Sequence, residues 1–229
     1  MIDFEGELKK ILNEDPLGIL KNRTVQPITT DQRLKDSFEE INKFIDDKGR
    51  EPTESKDITE RKLFSRLKQL RKDFDKWAKG ETGIPFIDAN MRELNETGFI
   101  SNRGRQNVAS FLAQNLNIDW RMGAEYFESL LLDYDPCSNY GNWAYNATVG
   151  HDPRNRYFNI LNQAERYDKN GEYVRYWLPE LKYVPNEFVH RPHTIPPDQQ
   201  KLYDIQVGKD YPKPFIDLEK SYEEIKNRE

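Results

Sequence analysis

Ser101-Asn102-Arg103-Gly104-Arg105-Gln106-Asn107-Val108-Ala109-Ser110-Phe111-Leu112-Ala113-Gln114-Asn115-Leu116 is the stretch on which the fold turns. Its apolar residues Val108, Phe111, Leu112 and Leu116 recur at helical spacing, and Ser101 or Asn102 supplies the cap that such a helix needs. Downstream, Trp120, Ala124, Phe127 and Leu131 repeat the pattern, so two apolar stripes are expected to face each other. Upstream, Asp88 to Glu96 reads as a helix closed by Gly98, and Gly83-Ile84-Pro85 stops the element before it. Nowhere does a sustained two-residue alternation argue for a sheet. The expected fold class is therefore all-α.

The flanks differ from this centre. All 12 tyrosines and four tryptophans lie after residue 72, and the first 72 residues hold 16 Lys and Arg against 15 Asp and Glu. Leu34, Phe38, Ile41, Phe44 and Ile45, and then Ile58 to Leu70, suit short charged amphipathic helices. Six of the 13 prolines fall between Pro185 and Pro214, which predicts an extended wrap over 185–229. The expected organisation is a charged leader over 1–72, a helical body over 73–184 and that C-terminal wrap.

Composition excludes several classes. No apolar run approaches the roughly 18 residues of a membrane span, and the first residues lack the pattern of a secretion signal. One cysteine, Cys137, precludes an intrachain disulfide, and three histidines leave no usual metal cluster. A metal-free cytoplasmic protein is expected. A net charge of −5 and a mean hydropathy of −0.95 describe a wet, acidic chain, so nucleic acid would have to meet a local basic surface.

Two segments carry candidate chemistry. Asn102 to Asn107 puts two guanidinium groups and two amides on the first turns of a helix, whose free N–H groups favour an anion. It reads equally as a cap with surface arginines. Asp133 and Asp135 are expected at the end of a helix, where the dipole opposes them, so Arg103 or Arg105 should pair with them. A structural ion pair and a two-carboxylate hydrolase both remain open on that spacing.

Together, Trp77 to Leu94, Thr97-Gly98, Ser101 to Asn107, Ile118 to Arg121 and Asp133 to Trp143 resemble the C-terminal flavin-binding domain of photolyases and cryptochromes. Asp152-Pro153-Arg154, Arg156 to Asn159 and Tyr173 to Leu181 are similar to the DASH branch, so the likeness runs from about Phe74 to about Asp217. It implies a helical domain holding FAD without a covalent bond, in which light-excited reduced flavin donates an electron to a pyrimidine dimer. By matched position, Asn102, Arg105, Asp133, Asp135 and Asn139 bind the cofactor, with Asn139 facing the reactive ring nitrogen. Trp143 and Trp120 match the inner and middle tryptophans of an electron-transfer chain, although core packing explains Trp120 as well. Gln106 and Tyr145 match positions around the cavity for an extruded base, and Arg154 and Arg156 suit phosphate contact. Photolyases belong to the enzymes that flip their target base out of the DNA stack, so damaged DNA is the implied partner.

The resemblance also sets expectations about what is missing. The family places an antenna-binding domain and a diphosphate-gripping turn ahead of this region, and the first 72 residues match neither. The pocket is expected to be incomplete, FAD binding weak and an antenna domain separately encoded. The alternatives are a cryptochrome-like light-sensing or nucleic-acid-binding module without repair, and a truncated or fused remnant without cofactor.

Overall fold

The structure is a computed structural model that describes residues 30–149 and 157–227, with side chains from residue 39. Among these residues the fold is all-α, as expected: the only β feature is an isolated bridge between Val207 and Tyr211. In chain order the helices are α1 (Thr30–Lys48), α2 (Ile58–Lys79), α3 (Pro85–Thr97), α4 (Asn102–Ser110), α5 (Trp120–Leu130), α6 (Pro136–Asn146), α7 (Ile160–Tyr167), α8 (Glu172–Trp177) and α9 (Leu218–Lys226).

Helix α2 begins where the Asp57 carboxylate accepts the Thr59 N–H at 2.8 Å, and Gly80 ends it in the left-handed region. It is longer than the Ile58 to Leu70 stripe, so residue 72 falls inside the helix. The extra turns carry Trp77 into the centre of the core, where its indole N–H donates to the Val108 carbonyl at 3.1 Å.

Helix α3 is buried along most of its length and packs against α2, α4, α7 and α8. Its Asp88 carboxylate is fully buried and reaches back to the turn before the helix, accepting from the Thr82 N–H, the Thr82 hydroxyl and the Gly83 N–H. The Tyr211 hydroxyl adds a fourth bond at 2.5 Å, tying the C-terminal segment to this helix. Gly83 is required here: it sits at φ +80°, and a Cβ would lie 2.4 to 2.7 Å from the backbone of Lys213 and Pro214.

The opening sequence stretch folds with one departure from a plain helix. Ser101 is the cap, accepting the Gly104 N–H at 3.0 Å, but α4 gives way at Phe111–Asn115 to a π-helical turn in which the Leu116 N–H reaches the Phe111 carbonyl. The turn keeps Val108, Phe111 and Leu112 buried against α5 and α6. Beyond residue 185 the chain runs through short 3-10 turns, as its prolines dictate, and then forms α9. That last helix corrects the sequence expectation, which extended the wrap to residue 229.

Candidate functional site

Helices α4, α5 and α6 build one small recess, and the link between α5 and α6 supplies the partner of its arginine. The Arg105 guanidinium donates through Nε to the Ile100 carbonyl at 3.0 Å and through Nη2 to both Asp133 oxygens at 2.8 Å. Arg103, the other offered partner, instead lies over the rings of Phe158 and Tyr167. Asp133 is held at this spot because the Leu132 N–H bonds to the Gly98 carbonyl at 3.0 Å.

Asp135 corrects the helix-end reading. It is the N-cap of α6, accepting the Ser138 N–H at 2.7 Å, so the dipole stabilises its charge instead of opposing it. That bond holds the carboxyl below its ordinary range. No cation is needed.

From this cap, α6 presents Asn139, Asn142, Trp143 and Asn146 at helical spacing on one face. Asn139 is buried and donates to the Ala124 carbonyl at 2.9 Å, while Asn142 donates to Ser138 and Asn146 to Asn142. The Asn146 Oδ1 is buried without a donor among the described residues. With Arg105 these four side chains line a recess of about 20 Å³, room for roughly one water molecule. Asn142 and Asn146 were not among the residues expected from the sequence, although their spacing from Asn139 is the signal that would have found them.

Trp143 forms the floor. Its ring meets Phe127 at 5.1 Å and Trp77 at 6.0 Å, both edge to face. Trp120 is half-buried beside Tyr140, at 6.2 Å, so the tryptophan in ring contact with Trp143 is Trp77, which the sequence expectation did not include in the electron-transfer chain. Asn102 opens α4 on the exposed side, and Tyr145 is exposed on α6. Gln106 has a buried Oε1 without a donor among the described residues. Arg154 and Arg156 lie outside the described residues.

The sequence profile of the FAD binding domain of DNA photolyase matches residues 28–229. The chain belongs to this family. It is 57% identical over 152 residues to a cryptochrome DASH of Natronomonas pharaonis, covering 66% of this chain and 32% of that protein. A cryptochrome DASH of Synechocystis is 54% identical over 172 residues, covering 71% of this chain and 35% of that one. The chain thus spans about a third of the length of these curated relatives. Among solved structures, a Synechocystis cryptochrome superposes with a TM-score of 0.67 at 41% identity, covering 84% of this chain and 45% of that one. A class III photolyase from Agrobacterium tumefaciens gives 0.62 at 40% identity, over 69% of this chain and 34% of its own.

The recess suits an edge of the cofactor for which the family is named. A flavin ring edge carries amide-like donors and acceptors, and here it would meet amides able to do both, an orphaned acceptor on Asn146 and the Arg105 cation. The volume admits one polar atom of that edge, such as a ring carbonyl oxygen, and leaves the ring itself outside.

Proposed function

We propose that this chain supplies the flavin-side residues of a DASH-type, light-driven photolyase or cryptochrome acting on DNA. The observation that carries the reading is the convergence of Arg105, Asn139, Asn142, Trp143 and Asn146 on one recess, with Asp133 fixing the arginine. FAD, when bound, supplies light-driven electron donation to a pyrimidine dimer. Asn139 and Asn146 would hold the polar edge of the ring, and Arg105, kept in place by Asp133 and the Ile100 carbonyl, would face its negative parts. Asn102 would bind the cofactor from the exposed end of α4, and Asp135 would lie beside the ring while its charge is held by the α6 N-terminus.

Trp143 would stand next to the flavin as the inner oxidisable ring. Trp120 remains the proposed middle member by family position, with Tyr140 as its ring neighbour. Gln106 and Tyr145 would border the space for the extruded base, and Arg154 and Arg156 would contact phosphate. An antenna domain belongs to the same reading as a further partner, as does a cytoplasmic location. On the latter point, no helix among the described residues is long and apolar enough to cross a membrane.

The test is a titration of the purified chain with FAD, followed by illumination under reducing conditions with a thymine-dimer oligonucleotide. Saturable binding that Arg105→Leu weakens by about tenfold or more supports the recess as the flavin site. Binding indifferent to Arg105→Leu and Asn139→Ala removes it. Bound flavin without dimer reversal would favour the light-sensing alternative.

A further inference from the structure

A second cavity, of about 610 Å³, shares no residue with the recess. Its size falls within the range of small-molecule sites. It lies where the turn before α3, helix α7, the segment around His190 and the chain leading into α9 meet. Ile84, Leu161, Phe215 and Leu218 give it apolar walls, and Phe215 is braced from outside by the Lys76 ammonium at 4.6 Å from its ring.

The polar groups are distinctive. His190 is 8% exposed, and its Nε2 is bonded to the Asp168 carbonyl at 2.7 Å. A carbonyl can only accept, so Nε2 carries the proton and Nδ1 presents a lone pair in the neutral ring. That Nδ1 is buried and has no partner among the described residues, on a side chain that lines the cavity. A buried acceptor without a donor is costly, and a ligand N–H or O–H would relieve it.

Two cations complete the site. Lys213 lines the cavity, and no carboxylate pairs with it among the described residues. Arg191 makes only a long contact of 3.9 Å with Glu165. Partial burial, and after it the charge of Arg191, hold the neighbouring His193 imidazole below its ordinary pKa. Two carboxylates also border the space. Asp217 is engaged in capping α9, accepting the Glu219 and Lys220 N–H groups, and Glu219 is exposed.

We propose that this cavity binds a nucleoside-monophosphate-sized ligand: a flat heterocycle with an N–H donor for His190 Nδ1, apolar faces against Ile84 and Phe215, and a phosphate held by Arg191 and Lys213. The guanidinium fork and the ammonium match a phosphate dianion better than a single carboxylate. The proposal is independent of the flavin reading.

The full 229-residue chain is titrated with AMP, with adenosine and inorganic phosphate as separate arms, while the ring resonances of His190 and His193 are followed by NMR. The expected result is saturable AMP binding that shifts both histidines, with adenosine and phosphate each weaker by about tenfold or more. Lys213→Ala and His190→Gln should each weaken AMP by about fivefold or more, since the Gln amide keeps the donor to Asp168 but carries its acceptor oxygen away from the Nδ1 position. Arg105→Leu should leave it unchanged. If His190→Gln does not fold, Lys213→Ala and Arg191→Gln decide the matter alone. Absence of saturable binding, binding unaffected by the Lys213 and Arg191 variants, loss only in Arg105→Leu, or equal affinity for phosphate alone would each overturn the proposal.

Discussion

At Gly123 the side chain is missing because the Trp143 indole occupies its place. A Cβ there would lie 2.2 Å from the Trp143 ring and 2.7 Å from Leu112. Gly123→Ala must therefore displace the floor of the recess, at a cost of about 1 to 3 kcal/mol. Urea melts would measure the loss and near-UV circular dichroism the ring movement; an unchanged spectrum and midpoint would show that the ring has room to shift. Asp88 sets a second residue-scale expectation. Burial pushes its carboxyl up to about 6 even though four donors oppose the rise. Its folded pKa thus exceeds the ordinary 3.8, so the stability it contributes is present below about pH 4 and is lost as pH rises through about 6. The full swing is about 3 kcal/mol. Melting curves of wild type and Asp88→Asn from about pH 4.5 to about 7.5 should converge as pH rises. A gap that widens with pH would mean that the hydrogen bonds outweigh burial.

At the scale of elements, the helix caps place much of the recess. Ser101→Ala should destabilise α4 by about 1 kcal/mol and loosen the Arg105 anchor with it, read as a lower denaturation midpoint. Asp135→Asn should be tolerated better than Asp135→Ala, because only Asn keeps an oxygen for the Ser138 N–H. The compositional division at residue 72 stands as a proposal about packing: the leader packs weakly on the body. The link from α1 to α2 is tied to α2 by Arg50 with the buried Glu60 at 2.7 Å and by Arg71 with Glu51 at 2.6 Å, and Arg50, Glu51 and Arg71 are all exposed. Trypsin should therefore cut first at Lys48, Arg50 or Lys56, and mass spectrometry of the products would show it; equal protection on both sides of residue 72 counts against a weakly packed leader.

For the molecule as a whole, the helical class was legible in the sequence from periodicity, and an arginine partner for Asp133 from the helix dipole, which left Arg103 and Arg105 both open. Other features were hidden for physical reasons. Periodicity continues through a π turn, so the change at Phe111 left no trace in the pattern. A carboxylate two residues after another looks like part of the same helix end, and only the start of α6 at Pro136 makes Asp135 a cap. The contact of Trp143 with Trp77 joins positions whose local sequences say nothing about each other. Nor does composition reveal how firmly the segment after residue 185 is built into the body. Tyr211→Phe should cost about 1.5 to 3 kcal/mol at neutral pH, where Asp88 is ionised and loses a donor; calorimetry would test it. The hydrogen bond between these two residues spans 123 positions. During synthesis, α3 therefore leaves the ribosome long before its fourth donor exists, and its carboxylate must wait in a half-finished core. A stretch of chain made late closes a part of the body made early, so a nascent chain stalled short of Tyr211 should hold a helix whose buried acid still takes up a proton from the solvent.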